Sequence, residues 1–192
     1  MKMVVNGYAG AGTITLGGYD YHGQGRATGE LRDLRAGRCI GACLEYAARM
    51  GKPLMVYVFS DGGISAGGQV DSTTDGRGKF MWTSDNESVA STYFLVYNPK
   101  GQPQLLDGAG GLKAVNHQQI GAFTPDGSVD SASSPAANNV LLLVQTVVLN
   151  YMALHGLQGQ FSTLFPDQGL GGGTQLDALT AFAPIVNGKI GG

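Results

Sequence analysis

Asp20 and His22 flank a single aromatic residue, Tyr21. On an extended chain, positions i and i+2 project from one face, so this carboxylate and imidazole could reach a common ion. Carboxylate oxygen with imidazole nitrogen is the mixed donor set of hydrolytic zinc or manganese sites. A second segment, Phe59-Ser60-Asp61-Gly62, offers another carboxylate. Asp20, His22 and Asp61 are therefore the candidate metal ligands, and a divalent ion (Zn, Mn, Mg or Ca) is the candidate cofactor. The plainer alternative makes Asp20 a turn former and ties His22 to backbone.

Other reactive side chains offer less. Cys39 and Cys43 are the two cysteines, four residues apart. On a helix both thiols share a face, yet neighbouring turns seldom meet disulfide geometry, so buried free thiols are expected. Two cysteines without further ligands nearby do not make a zinc site. His155 is expected at a helix end, where a cation is favoured in any case. His117 precedes Ile120 in a loop-like stretch and has no evident partner. Gly10-Ala11-Gly12 is followed by Thr15 where a dinucleotide fingerprint needs its third glycine, and no Gly-Lys-Ser/Thr triplet occurs, which excludes a phosphate loop. Ser, His and Asp are all present, so composition permits a nucleophilic triad, but no Gly-x-Ser-x-Gly elbow is expected and the triad is not favoured. No catalytic residue is assigned.

The candidate ligands need elements to hold them. Lys2 to Val5 and Thr13 to Tyr19 read as short strands around a turn-rich Asn6–Gly12, the second opening through Gly17-Gly18 into Asp20. Gly29 to Met50 reads as a helix with Thr28 as N-cap. Ala36, Cys39, Ile40, Cys43, Ala47 and Met50 form its apolar stripe, and Arg35, Arg38, Glu45 and Arg49 its polar side. Gly51 and Pro53 stop it. Leu54 to Phe59 is a continuous apolar run, as in a strand buried on both faces. Strand, helix, strand in this order predicts a parallel pair with a right-handed crossover. Both acidic segments would then leave strands at the same sheet edge, where ligands of open α/β sheets bind.

Beyond this the chain is polar and turn-rich from Ile64 to Ser91, then offers a strand at Tyr93–Tyr97 closed by Asn98-Pro99-Lys100-Gly101. Leu105-Leu106 is a possible short strand. Ser134 and Pro135 announce a second helix from Ala136 to His155, largely apolar on most sides and ended by Gly156. Residues 166–192 are loosely patterned. The expectation is one α/β domain over 1–192, a mainly parallel sheet with flanking helices.

Composition limits function. With 192 residues the chain can bury a substantial core, and 32 glycines with 7 prolines indicate many tight turns. Net charge is −2 and charged residues make up 14%, with no basic block to neutralise phosphates, so a nucleic-acid partner is not expected. The start, MKMVVNGYAGAG, has too short an apolar run for a secretory signal. The longest apolar stretch, Val140 to Leu154, is broken by Gln145, Thr146 and Asn150, so a core helix is expected and no transmembrane segment.

Gly17-Gly18-Tyr19-Asp20-Tyr21-His22, a helix, and an apolar strand ending Phe59-Ser60-Asp61-Gly62 together resemble the alkaline-phosphatase-like superfamily. Within it the chain is most similar to a twin-arginine-exported, sulfatase-like bacterial branch of mostly unknown function, some of whose members carry a general secretion pathway label. Thr163-Leu164-Phe165-Pro166 echoes that branch's Leu-Phe-Pro segment, and the resemblance covers residues 2 to 166. It implies a partial alkaline-phosphatase-like fold and a periplasmic or exported location. It also implies two metal ions between strand ends, Asp20 and His22 matching ligands of one and Asp61 a ligand of the other.

The chain departs from that pattern in three places. Gly62 stands where many members have His, and Thr74-Asp75-Gly76 where the branch has Thr-Asp-His. The superfamily nucleophile lies upstream of the Gly-Gly motif, yet only 17 residues precede Gly18. The resemblance thus implies the C-terminal portion of a longer protein, non-catalytic as it stands, with a binding or envelope-assembly role. Its partners would be the rest of the parent chain or envelope proteins. The alternative is one part of a metal-dependent phosphate or sulfate ester hydrolase whose nucleophile lies upstream.

Overall fold

The computed structural model describes residues 1–19, 26–59, 63–65, 70–80, 83–86, 91–106 and 119–186. Lys2–Val5 forms a one-turn helix, α1, not a strand. Its Val5 is buried, and Asn6 at its end donates from Nδ2 to the Tyr46 hydroxyl of the next helix at 3.1 Å. Residues 13–19 form no ladder. The first expected strand pair is therefore absent, and with it the β-α-β crossover.

The long helix α2 runs Arg26–Arg49, so Thr28 lies inside it rather than capping it. Its polar side is exposed as expected, with Arg49 Nε donating to Glu45 Oε1 at 2.7 Å. Cys43 and Ala47 are buried, and α1 contacts this helix. Gly51 at φ +61° ends it: Gly51 N–H donates to Ala48 carbonyl and Lys52 N–H to Ala47 carbonyl, the paired bonds of a Schellman motif.

β1, Leu54–Val58, follows and packs on α2. Its partner is Tyr93–Tyr97, antiparallel, with Leu54 opposite Tyr97, Val56 opposite Leu95 and Val58 opposite Tyr93. Between them the chain forms β2 (Gly63–Ser65), β3 (Val70–Asp71), β4 (Lys79–Phe80) and β5 (Thr83–Asn86), pairing β2 with β5 and β3 with β4. Tyr93–Tyr97 is β6. Later, β7 (Ala122–Phe123) pairs with β8 (Val129–Asp130). Among the described residues every one of these ladders is two-stranded and antiparallel.

The mainly parallel, alkaline-phosphatase-like sheet is thus corrected. An apolar run such as Leu54–Phe59 reports burial, not the direction of its neighbour. Here the polar stretch that follows folds into nested hairpins, which bring the chain back antiparallel, and β1 is only partly buried along its length.

The core lies elsewhere. Ser134 Oγ accepts from Ala136 N–H and caps a 3-10 turn, Pro135–Asn138. Asn139 then caps helix α3, Val140–Leu154, its Oδ1 accepting from Leu142 N–H at 3.0 Å. A 3-10 turn at Gln158–Gln160 leads into α4, Phe161–Leu164, and α5 spans Thr174–Ala178. Leu149 and Met152 of α3 pack with Phe161, Leu170 and Leu179, so the loosely patterned stretch after 166 supplies core residues. Asn150, fully buried, donates from Nδ2 to the carbonyls of Thr146 and Leu179 and accepts at Oδ1 from Ala181 N–H, at 2.8–2.9 Å. Leu105 bridges to Phe182, whose ring meets Phe94 of β6 edge-on at 5.9 Å, tying the β1–β6 ladder to this end.

Candidate binding surface and predicted ligands

Asp20, His22, Asp61 and His117 all lie outside the described residues. What is described is how the chain enters the first of these segments. Gly18 adopts φ +86° and passes so close to α2 that a Cβ there would sit 3.3 Å from the Arg32 guanidinium. Tyr19 then donates its hydroxyl to the Arg32 carbonyl at 2.8 Å. The Gly-Gly-Tyr half of the motif is therefore fastened to the first half of α2. β1 follows the other end of α2 after a short turn and is in contact with that helix.

Gly76, which the sequence reading expects to align with a histidine, is buried in the β3–β4 hairpin. A Cβ on it would collide with the side chain and backbone oxygen of Asp71. Arg77 (φ 53°) and Gly78 (φ 72°) follow in the left-handed region, and Asp71 Oδ1 accepts from Thr73 N–H at 2.9 Å. The hairpin has no room for an imidazole at 76. Among the described residues no group of three or more His, Cys, Asp or Glu could hold a metal ion.

The expectation of no nucleophile elbow is corrected: Gly63-Ile64-Ser65-Ala66-Gly67 has the Gly-x-Ser-x-Gly spacing. The elbow works by holding serine on a tight strand-to-helix turn. Ser65 instead pairs with Thr83 in an antiparallel ladder, and the next described element is another strand. Among the described residues the spacing is present without a following helix.

His155 ends α3, but burial holds its imidazole below the usual pKa rather than favouring the cation expected at a helix end. Its Nδ1 is buried without a hydrogen-bond partner, and the Tyr151 ring lies 4.8 Å away. Cys39 and Cys43 are both free, Cys43 buried and Cys39 half-buried. Burial first, then the neighbouring Cys39 thiol, pushes the Cys43 thiol up in pKa.

A cleft of about 540 Å³ opens between β7 and α5, with Ile120, Ala122, Pro135, Leu170 and Leu179 on its walls. Its serines are already committed: Ser133 Oγ accepts from Ala122 N–H, and Ser134 is the cap described above. It offers shape and apolar contact, with no activated nucleophile in those two hydroxyls.

Apolar surface also lies open on both long helices. α3 turns Thr146, Leu149, Asn150, Met152, Ala153 and Leu154 inward, as a core helix should. Its opposite side leaves Val140, Leu141, Val144 and Tyr151 exposed, so it is less enclosed than its composition predicts. Leu31 and Leu34 of α2 are likewise exposed. Among the described residues no helix is long and apolar enough to cross a membrane. Compared with protein-family models, curated proteins and solved structures, the chain matches none.

Proposed function

We propose that this chain is a non-catalytic binding module that completes itself against another protein surface, either the rest of a longer parent chain or an envelope protein. The observation that carries the reading is the uncovered apolar face of α3, where Val140 is 56%, Leu141 66% and Val144 51% exposed. Val140, Val144 and Tyr151 recur at i, i+4 and i+11, which is one continuous helical stripe. Leu31 and Leu34 add 69% and 53% exposure on α2. Scattered apolar side chains are normal on a protein surface, but a continuous row on a helix is the pattern of a surface that something covers.

A photo-crosslinking residue at position 144, expressed in cells with the intact parent, tests this. It should yield a discrete protein adduct, or an intrachain one, that the same residue at position 49 on the polar side does not. Val144→Glu should abolish the adduct formed from position 141 while leaving the far-UV spectrum and unfolding midpoint nearly unchanged. Equal labelling from positions 144 and 49 would defeat the proposal.

A second reading keeps the chain as part of a metal-dependent phosphate or sulfate ester hydrolase whose nucleophile comes from elsewhere in the parent. It draws support from the Tyr19 anchor on α2 and from the contact of β1 with the same helix, which tie the segments leading to Asp20 and Asp61 to one element. Under it, purified full-length parent should retain divalent metal after dialysis, and Asp20→Ala should lose it. Metal-free parent that turns over neither aryl phosphate nor aryl sulfate would remove this reading.

A further inference from the structure

We propose that Cys39 and Cys43 form a two-thiolate site for a soft, linearly coordinated d10 metal ion of the Cu(I) class. Both are free thiols at i and i+4 on α2, one turn apart on a single face. Cys43 is buried and Cys39 half-buried, so the pair lies at the margin of the packed face of α2.

Span decides what can join them. Cβ atoms at this spacing lie about 5–6 Å apart, whereas a disulfide wants roughly 3.5–4.5 Å. Direct oxidation would therefore have to distort a helix that is continuous from Arg26 to Arg49. An inserted ion removes that conflict, because two metal–sulfur bonds of about 2.3 Å each span more than twice an S–S bond of about 2.05 Å. Two ligands do not satisfy tetrahedral zinc, and among the described residues no third His, Cys, Asp or Glu completes a set. Paired thiolates are what select Cu(I) among biological metals.

The surroundings suit such an ion. Cys43 is buried, as are Ala47 on the next turn and Val5 of α1, which contacts α2, while half-buried Cys39 leaves a path from solvent. Arg35, on the exposed polar side of α2, lies one turn before Cys39, and its positive charge in that part of the helix offsets the single negative charge of a bis-thiolate complex. On binding, Cu(I) displaces both thiol protons to solvent and two copper–sulfur bonds form. The metal keeps its oxidation state, so no oxidant or reductant is consumed. This site is independent of the binding-module reading.

The test uses the reduced full chain under anaerobic conditions, with Cu(I) presented as its bicinchoninate complex at graded chelator excess. One Cu(I) per chain should be withdrawn, with X-ray absorption showing two sulfur neighbours. Cys39→Ser should weaken retention by more than the roughly 100-fold that an outer-shell change produces. Cys39 is half-buried, so this variant is the decisive one; helicity by circular dichroism shows that it folds, and Cys43→Ala serves as the second. Failure of the wild-type chain to withdraw copper at any ratio would overturn the site. So would retention by Cys39→Ser equal to wild type.

Discussion

Asn150 shows how much one side chain can organise. It is buried, and through its amide α3 holds the backbone of residues 179–181, with both Leu179 carbonyl and Ala181 N–H paired to it. Asn150→Leu would leave those two backbone groups buried and unpaired, a loss of about 3 kcal/mol; urea unfolding should show it as a lower midpoint with an unchanged slope. Gly76 makes the opposite point, since its need is for absence of a side chain. Gly76→Ala should loosen the β3–β4 hairpin, seen as faster amide exchange at residues 70–80 than in wild type. The chain leaves no room for a side chain there because of contact with Asp71, which no spacing along the sequence reveals.

His155 gives a pH dependence whose sign follows from burial. Its folded pKa is depressed, so the unfolded chain takes up a proton first as pH falls below about 6.5, and stability drops until the folded imidazole also protonates. His155→Phe should flatten that part of the curve, and the comparison is the urea midpoint of both proteins at about pH 8 and pH 5. A variant whose midpoint falls in parallel with wild type would assign the loss to other groups.

At the scale of elements, helices were the legible part. The stripe through Ala36, Cys39, Cys43 and Ala47 and the stops at Gly51 and Gly156 locate α2 and α3 within a few residues. Gly156 (φ 70°) ends α3 by the same device as Gly51: its N–H donates to Ala153 carbonyl, and Leu157 N–H to Met152 carbonyl. Gly51→Ala and Gly156→Ala should each lower stability by about 1 kcal/mol. Added bulk does not explain such a loss, because a Cβ at 156 meets Pro184 only at an ordinary 3.6 Å and one at 51 meets nothing. The N-terminal end gives a matching expectation. α3 has no acidic residue in its first turn and relies on the Asn139 side chain, so Asn139→Ala should also cost about 1 kcal/mol and Asn139→Asp should restore it. Strand direction was not legible. Leu54–Phe59 looks the same whether its neighbour runs with it or against it, and only the hairpins inside residues 63–86 decide.

For the whole molecule, the sequence left the core half hidden. Residues after 166 are rich in glycine and lack periodicity, yet Leu170, Leu179 and Ala181 are buried against α3. Their contribution is argued by magnitude. The two buried leucines, Leu170 and Leu179, are worth about 2 kcal/mol each, and the loss of Asn150's partners adds about 1–3 kcal/mol more. A sum near 6 kcal/mol is comparable with the entire stability of a small domain. Removing residues 167–192 should therefore abolish cooperative unfolding, because Leu149, Met152 and Phe161 would face water along with the already open Val140–Val144 side. The truncated chain should bind a hydrophobic dye and lose amide protection at residues 146–154, where the intact chain keeps both α3 and its polar clamp closed. Retained protection there would mean that α3 finds its cover elsewhere, and the C-terminal segment would have to be regarded as resting on the core instead of forming it.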